Sequence, residues 1–128
     1  MNAAVAGLLA IDLSGFIYAA AVAEAHGITP GEFLETCENM ADAVREQWRR
    51  TAQNWFTGNR DSRLNGTASA EMWEHEIGHL LHNAVDKGVP AGFLRAASEV
   101  FESAAATGRG GEDAAVLLEL VRHRKPTA

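Results

Sequence analysis

The stretch AAVAGLLAIDLSGFIYAAAV, residues 3–22, decides how the rest of this chain is read. It is apolar at nearly every position, with Asp12 and Ser14 at its centre and no basic residues on its flanks. A membrane span is the first reading of so long an apolar run. The central polar pair and the bare flanks speak against it, and a signal peptide would want a positive start and a shorter apolar core. A helix that is apolar nearly all round is otherwise the buried centre of a protein, or a helix shared between subunits. The expectation is therefore a central helix and no membrane.

The surrounding chain fits that expectation. Its 128 residues make one domain with a sizeable core and are too few for two ordinary domains. It is 47% hydrophobic and 22% charged, which separates it from disordered segments. Eleven basic residues stand against seventeen acidic ones, for a net charge of -6. Binding to nucleic acid or to an anionic membrane is disfavoured, because both need a basic footprint. One cysteine, Cys37, excludes an intrachain disulfide and a thiolate zinc cluster, and a reducing cytoplasm is the expected compartment.

Outward from the first run, the spacing predicts five helices and no strand. The first extends to His26 and stops at Gly27, a C-terminal glycine. Thr29, Pro30 and Glu32 form a capping box with proline at the first helical position. The second helix runs to about Phe56, with Phe33, Cys37, Met40, Val44, Trp48 and Trp55 on one apolar face, and ends at Gly58. Trp48, Trp55 and Cys37 are expected in the core. Residues 57–68 read as a polar, mobile loop. Ser69 caps a third helix that ends at Lys87, with Trp73, Ile77, Leu80, Leu81 and Ala84 inward. A fourth runs from Pro90 to Thr107, with Phe93, Leu94, Val100, Phe101 and Ala104 inward. After Arg109-Gly110-Gly111, a fifth is expected to start with Glu112 and Asp113 and to end with Arg122, His123 and Arg124. Acids first and bases last would complement the helix dipole. Pro126 closes it.

One motif carries chemistry. His75-Glu76-Ile77-Gly78-His79 is an HExxH sequence on a helix. Histidines four apart share a face and can share a zinc ion, and the glutamate between them can act as base on metal-bound water. A zinc-dependent hydrolase using His75, Glu76 and His79 is therefore the alternative reading. It needs a third ligand from His82, Asp86, Glu99 or Glu102, and the histidine face lies opposite the apolar stripe.

Three segments carry a resemblance. Asn2 to Tyr18 resembles the long interdomain helix of imine reductases and reductive aminases, in the β-hydroxyacid dehydrogenase and 6-phosphogluconate dehydrogenase group. Gly78-His79-Leu80-Leu81-His82-Asn83-Ala84 with Lys87-Gly88-Val89-Pro90 is similar to a later helix of that family. Gly108-Arg109-Gly110 with Leu117 to Arg122 looks like its closing turn and last helix. The likeness runs from Asn2 to Pro126.

The resemblance implies that residues 1–128 form a single all-α C-terminal domain that dimerises by intertwining, with the long helix at the centre of the pair. It implies a cleft against a nucleotide domain, where NADPH and an imine or carbonyl substrate sit. The Rossmann half is absent from this sequence, so NADPH is expected only through a separate nucleotide-binding chain. The family's proton-donor position falls on Asn2, whose amide cannot donate a catalytic proton, and an aromatic position falls on Ala10.

The expected role is thus a dimerisation and small-molecule module for an apolar amine or imine. It would complement a separate NADPH-binding chain or serve cofactor-free cyclisation or isomerisation. Asp12, among Leu8, Leu9, Gly15 and Phe16, loses hydration unless paired and is the candidate acid or ligand anchor. Asn2, Tyr18, His79 and His82 match pocket positions of the family. Tyr18 also reads as a core tyrosine, and the two histidines as a solvated face.

Overall fold

The computed structural model describes residues 2–122, and all the regular structure among them is helical. The elements are α1 (Ala3–Ala25), α2 (Pro30–Thr57), α3 (Ser62–Asn65), α4 (Ala70–Asp86), α5 (Gly92–Ala106) and α6 (Val116–Arg122). The predicted ends hold where the signal is local. Gly27, Gly58, Gly88 and Gly108 adopt positive φ just beyond α1, α2, α4 and α5, a conformation that only glycine takes without strain. The Thr29 hydroxyl accepts from the Glu32 amide at 3.2 Å, and the Glu32 carboxylate accepts from the Thr29 amide at 2.9 Å. Those bonds hold the Glu32 carboxyl below its ordinary range. The Ser69 hydroxyl accepts from the Met72 amide.

The core lies in α4, α5 and α6, with the C-terminal end of α1 added. One cluster joins Val22, Ala84 and Leu94 to Tyr18, Leu81 and Phe93. A second joins Ala70, Ala104 and Val116 to Leu117 and Leu120. Ala70, Ala84, Ala104 and Ala115 are wholly buried, and their lack of bulk lets the helices approach closely. The α4–α5 packing is the most extensive helix pair.

Six expectations need correction. The first helix is not buried within one chain: residues 3–13 are all exposed, and only Val22 and Ala23 are buried. Eleven residues at 1.5 Å each make an arm of about 16 Å that stands clear of the core. Trp48 (51% exposed) and Trp55 (42%) lie on the predicted face of α2 but not in a core, and Cys37 is half-buried. Val100 on α5 is likewise exposed. Residues 57–68 are not a free loop: they contain the single turn α3, and Ser62 donates to the Gly111 carbonyl at 3.0 Å.

The last helix starts at Val116, after Glu112 and Asp113 rather than on them. The Asp113 carboxylate reaches Asn54 and Thr67 far along the chain instead, and that of Glu112 pairs locally with Arg109. The predicted positions His123, Arg124 and Pro126 lie outside the described residues. The fourth helix starts at Gly92, two residues beyond Pro90, with no side-chain cap at Ala91.

Candidate functional site

Asn2 and Asp12 belong to the free arm. Asn2 caps α1, its side-chain oxygen accepting from the Val5 amide at 3.0 Å. Asp12 is exposed rather than enclosed by its apolar neighbours. Tyr18, where the arm meets the core, stacks on Phe93 with ring centroids 5.3 Å apart and planes 9° from parallel. It is held as a core aromatic. From Asn2 to Tyr18 is 16 residues, about 24 Å of helix, so the two cannot line one small pocket within a chain. His79 and His82 sit on the exposed face of α4, opposite Leu80, Leu81 and Ala84, as the periodicity predicts.

The HExxH reading finds no support. His75 and His79 are adjacent, with ring centroids 4.2 Å apart. Among the described residues, however, no group of three or more His, Cys, Asp or Glu side chains is placed to hold a metal ion. Glu102, one expected third ligand, instead accepts from the Ser98 hydroxyl at 3.3 Å. A zinc hydrolase centre needs three protein ligands with an open fourth position.

The cavities lie elsewhere. An open apolar hollow of about 390 Å³ between α2 and α4–α6 is lined by Gln47, Thr51, Trp73, Phe101, Leu117 and Leu118. Beside it, sharing Gln47 and Trp73, a second of about 450 Å³ is lined by Met40, Val44 and Trp48. Together they make an apolar groove along the stripe of α2. None of the residues expected at a pocket lines it.

The strongest chemistry in the chain is a polar cluster that periodicity could not show. Asp113 is 1% exposed. Its carboxylate accepts from the Asn54 amide at 3.0 Å, from the Thr67 hydroxyl and from the Ala115 amide at 2.9 Å. Three donors replace the water it has lost. Alongside, Glu119 bridges two arginines: Arg60 Nη2 lies 2.8 Å from Oε1 and Arg109 Nη1 lies 2.8 Å from Oε2. Arg109 also pairs with Glu112. The Arg109 hydrogen bond, then that of Arg60, holds the Glu119 carboxyl below its ordinary range against the opposing effect of burial. The Arg109 guanidinium is pushed up by Glu112 and Glu119. These groups satisfy one another and tie α2, the 57–68 segment and α6 together. The cluster is structural.

Among the described residues there is no strand-to-helix glycine turn of the kind that holds a dinucleotide's diphosphate. A diphosphate is held by free N–H groups at a helix N-terminus, commonly after a glycine-rich turn. Here the positive-φ glycines follow helix C-termini, where carbonyls face outward and the dipole is negative. Arg60 and Arg109, the half-buried cations, are already neutralised.

Comparison with known proteins gives one consistent answer. The family described as NADPH-dependent reductive aminase-like, C-terminal domain, matches residues 1–123. Comparison with curated proteins gives no match. Among solved structures, the chain is similar to a reductive aminase from Aspergillus terreus in complex with NADPH4, cyclohexanone and allyl amine. The TM-score there is 0.82 at 23% identity, over 93% of this chain and 41% of that one. It is also similar to an imine reductase from Myxococcus stipitatus in complex with NADP+, with TM-score 0.85 at 20% identity, over 95% of this chain and 43% of that one. An imine reductase from Bacillus cereus gives 0.81 at 19% identity, over 91% and 40%.

The chain therefore spans about two fifths of the solved chains it matches. The same coverage bears on α1. This helix is long and apolar enough to cross a membrane, with mean hydropathy 1.9. Yet the 7% of the chain outside the first match is about nine residues, fewer than the 23 of α1. At least part of α1 therefore belongs to the shared fold.

Proposed function

The chain belongs to the NADPH-dependent reductive aminase-like C-terminal domain family, and on that premise we propose that it is the assembly and small-molecule half of such a protein. It pairs with a second copy of itself and encloses an apolar amine- or imine-like molecule. The nicotinamide dinucleotide is held by a separate nucleotide-binding domain. The lone half-buried Cys37 suits a reducing cytoplasm.

One observation carries this reading: the chain's most apolar helix leaves most of its large apolar side chains in water. Leu8, Leu9, Ile11, Leu13 and Ile17 are 46–61% exposed. Burying the exposed half of each contributes about 1 kcal/mol, so two copies of five side chains contribute about 10 kcal/mol. Association costs on the order of 4–15 kcal/mol. The arm alone is marginal, and the groove beside Met40, Val44 and Trp48 supplies the remaining apolar surface. A second copy laying its arm along that groove covers both.

Asp12 then leaves water and becomes the polar anchor of the enclosed space. Asn2, His79 and His82, exposed in one chain, line it from two chains. Tyr18 contributes its ring edge beside Phe93.

The test is sedimentation velocity of the purified chain over a range of concentrations. A dimer is expected. The Ile11→Glu/Leu13→Glu variant should sediment as a folded monomer with unchanged helical circular dichroism. A wild-type chain that stays monomeric at every concentration overturns the assembly. Saturable binding of a cyclic secondary amine by the dimer, weakened in Asp12→Asn, is expected of the enclosed space. A dimer that binds none removes the ligand half of the reading.

A further inference from the structure

We infer that His75 and His79 form a two-imidazole chelating site for a late first-row divalent cation, on the outer face of α4. Both donors come from one chain, with His79 at the edge of the enclosed space proposed above. The site differs from a hydrolase centre, since it supplies two protein donors and leaves the other positions to water.

Three observations carry it. The rings are one helical turn apart, with centroids 4.2 Å from each other, so both can reach one ion from the same face. Neither ring makes a hydrogen bond or ion pair among the described residues, so no partner must be given up. The helix beneath is fixed at both ends: Ser69 caps it, and Ala70 and Ala84 are wholly buried. The backbone that carries both donors is thus fixed before the ion arrives. Much of the entropy that a flexible pair of histidines loses on chelation is already lost in folding.

Imidazole donors suit zinc, nickel and copper, and the order of affinity should follow the general series, with copper above nickel and zinc. His82 lies on the same face three residues on, but the ring contact joins His75 to His79. That pair is therefore the chelate.

The experiment is isothermal titration of the purified, tag-free chain with nickel chloride. One ion per chain is expected. His75→Ala and His79→Ala should each weaken binding by roughly 100-fold, because the second bond of the chelate forms at high effective concentration. His82→Ala should leave it unchanged. Nickel should also raise the melting temperature of the wild type and not that of the His75→Ala/His79→Ala variant, since only the native helix pairs the donors. Absence of saturable binding overturns the site, as does binding that survives in the double variant. A His82→Ala loss as large as that of His75→Ala overturns the assignment to two donors. All three side chains are exposed, and circular dichroism separates any loss of fold from loss of the ion.

Discussion

The two ends of this molecule are built on opposite principles. The α4–α6 end closes on itself. Four of its alanines are wholly buried, its apolar side chains meet in two clusters, and its buried carboxylate Asp113 and its half-buried Arg109 are matched by partners. The α1–α2 end carries the most apolar helix and two of the three tryptophans, and leaves most of them in water. Composition alone would predict the reverse. The difference teaches that apolar content measures how much surface wants covering, whereas the covering itself comes from geometry, here small residues, tight turns and a polar tie. One end is complete as a single chain, and the other is shaped for company.

Four changes would break or sharpen that contrast. Asp113→Ala should cost about 3 kcal/mol in urea unfolding, since it strands the Asn54 amide and the Thr67 hydroxyl inside the closed end. A loss under about 1 kcal/mol would mean that the closed end is not held by its polar tie.

Glu119→Gln should cost about 2 kcal/mol at neutral pH through two charge-assisted pairs. Because the Glu119 carboxyl is lowered in the folded state, its contribution is full above the unfolded value of about 4.3 and fades as pH falls through the lower folded value. Urea unfolding at neutral pH and then stepwise below pH ~4 should therefore show wild type and variant converging in acid.

Thr29→Ala removes one side of the capping box at the open end and should cost about 1 kcal/mol, read from the melting temperature. Smallest, Ile11→Ser should change monomer stability by less than about 0.5 kcal/mol, because the side chain touches no core. The same substitution should shift the concentration dependence of unfolding. A large monomer effect would show that the arm is part of the closed end after all.

What was legible in the sequence divides along the same line. Helix ends marked by Gly27, Gly58, Gly88 and Gly108, by the Thr29–Glu32 box and by Ser69 were readable because a cap is made by neighbours in sequence. The inward face of α4 was readable because periodicity reports a stripe. The cover over a stripe was not: Trp48 and Trp55 fall on the expected face and still meet solvent. The 57–68 segment looked like polar loop because its ties reach far along the chain, Ser62 to Gly111 and Arg60 to Glu119. Glu112 and Asp113 looked like the acidic first turn of a helix, but they serve Arg109 and Asn54 instead. The only available signal was the presence of Asn54, Arg60 and Thr67 around that segment without obvious local partners. The family was legible from three short segments in order, although the positions matched to its pocket, Asn2, Tyr18, His79 and His82, and the candidate anchor Asp12 do not converge within one chain.

One small contact has a kinetic consequence. The first two amides of α4 are not left to water: Ala70 N–H donates to the Glu112 carbonyl at 2.9 Å, and Glu71 N–H to the Gly110 carbonyl at 2.8 Å. The turn between α5 and α6 thus finishes the start of a helix some forty residues upstream. Gly110 is buried there, and an added Cβ would sit 3.4 to 3.5 Å from Glu71 and Ala105, so the approach is already close. The beginning of α4 cannot be fully formed until the α5–α6 turn has docked. Hydrogen exchange at Ala70 and Glu71 is then a clock for that docking, ticking with the opening of the α5–α6 turn rather than with the fraying of their own helix.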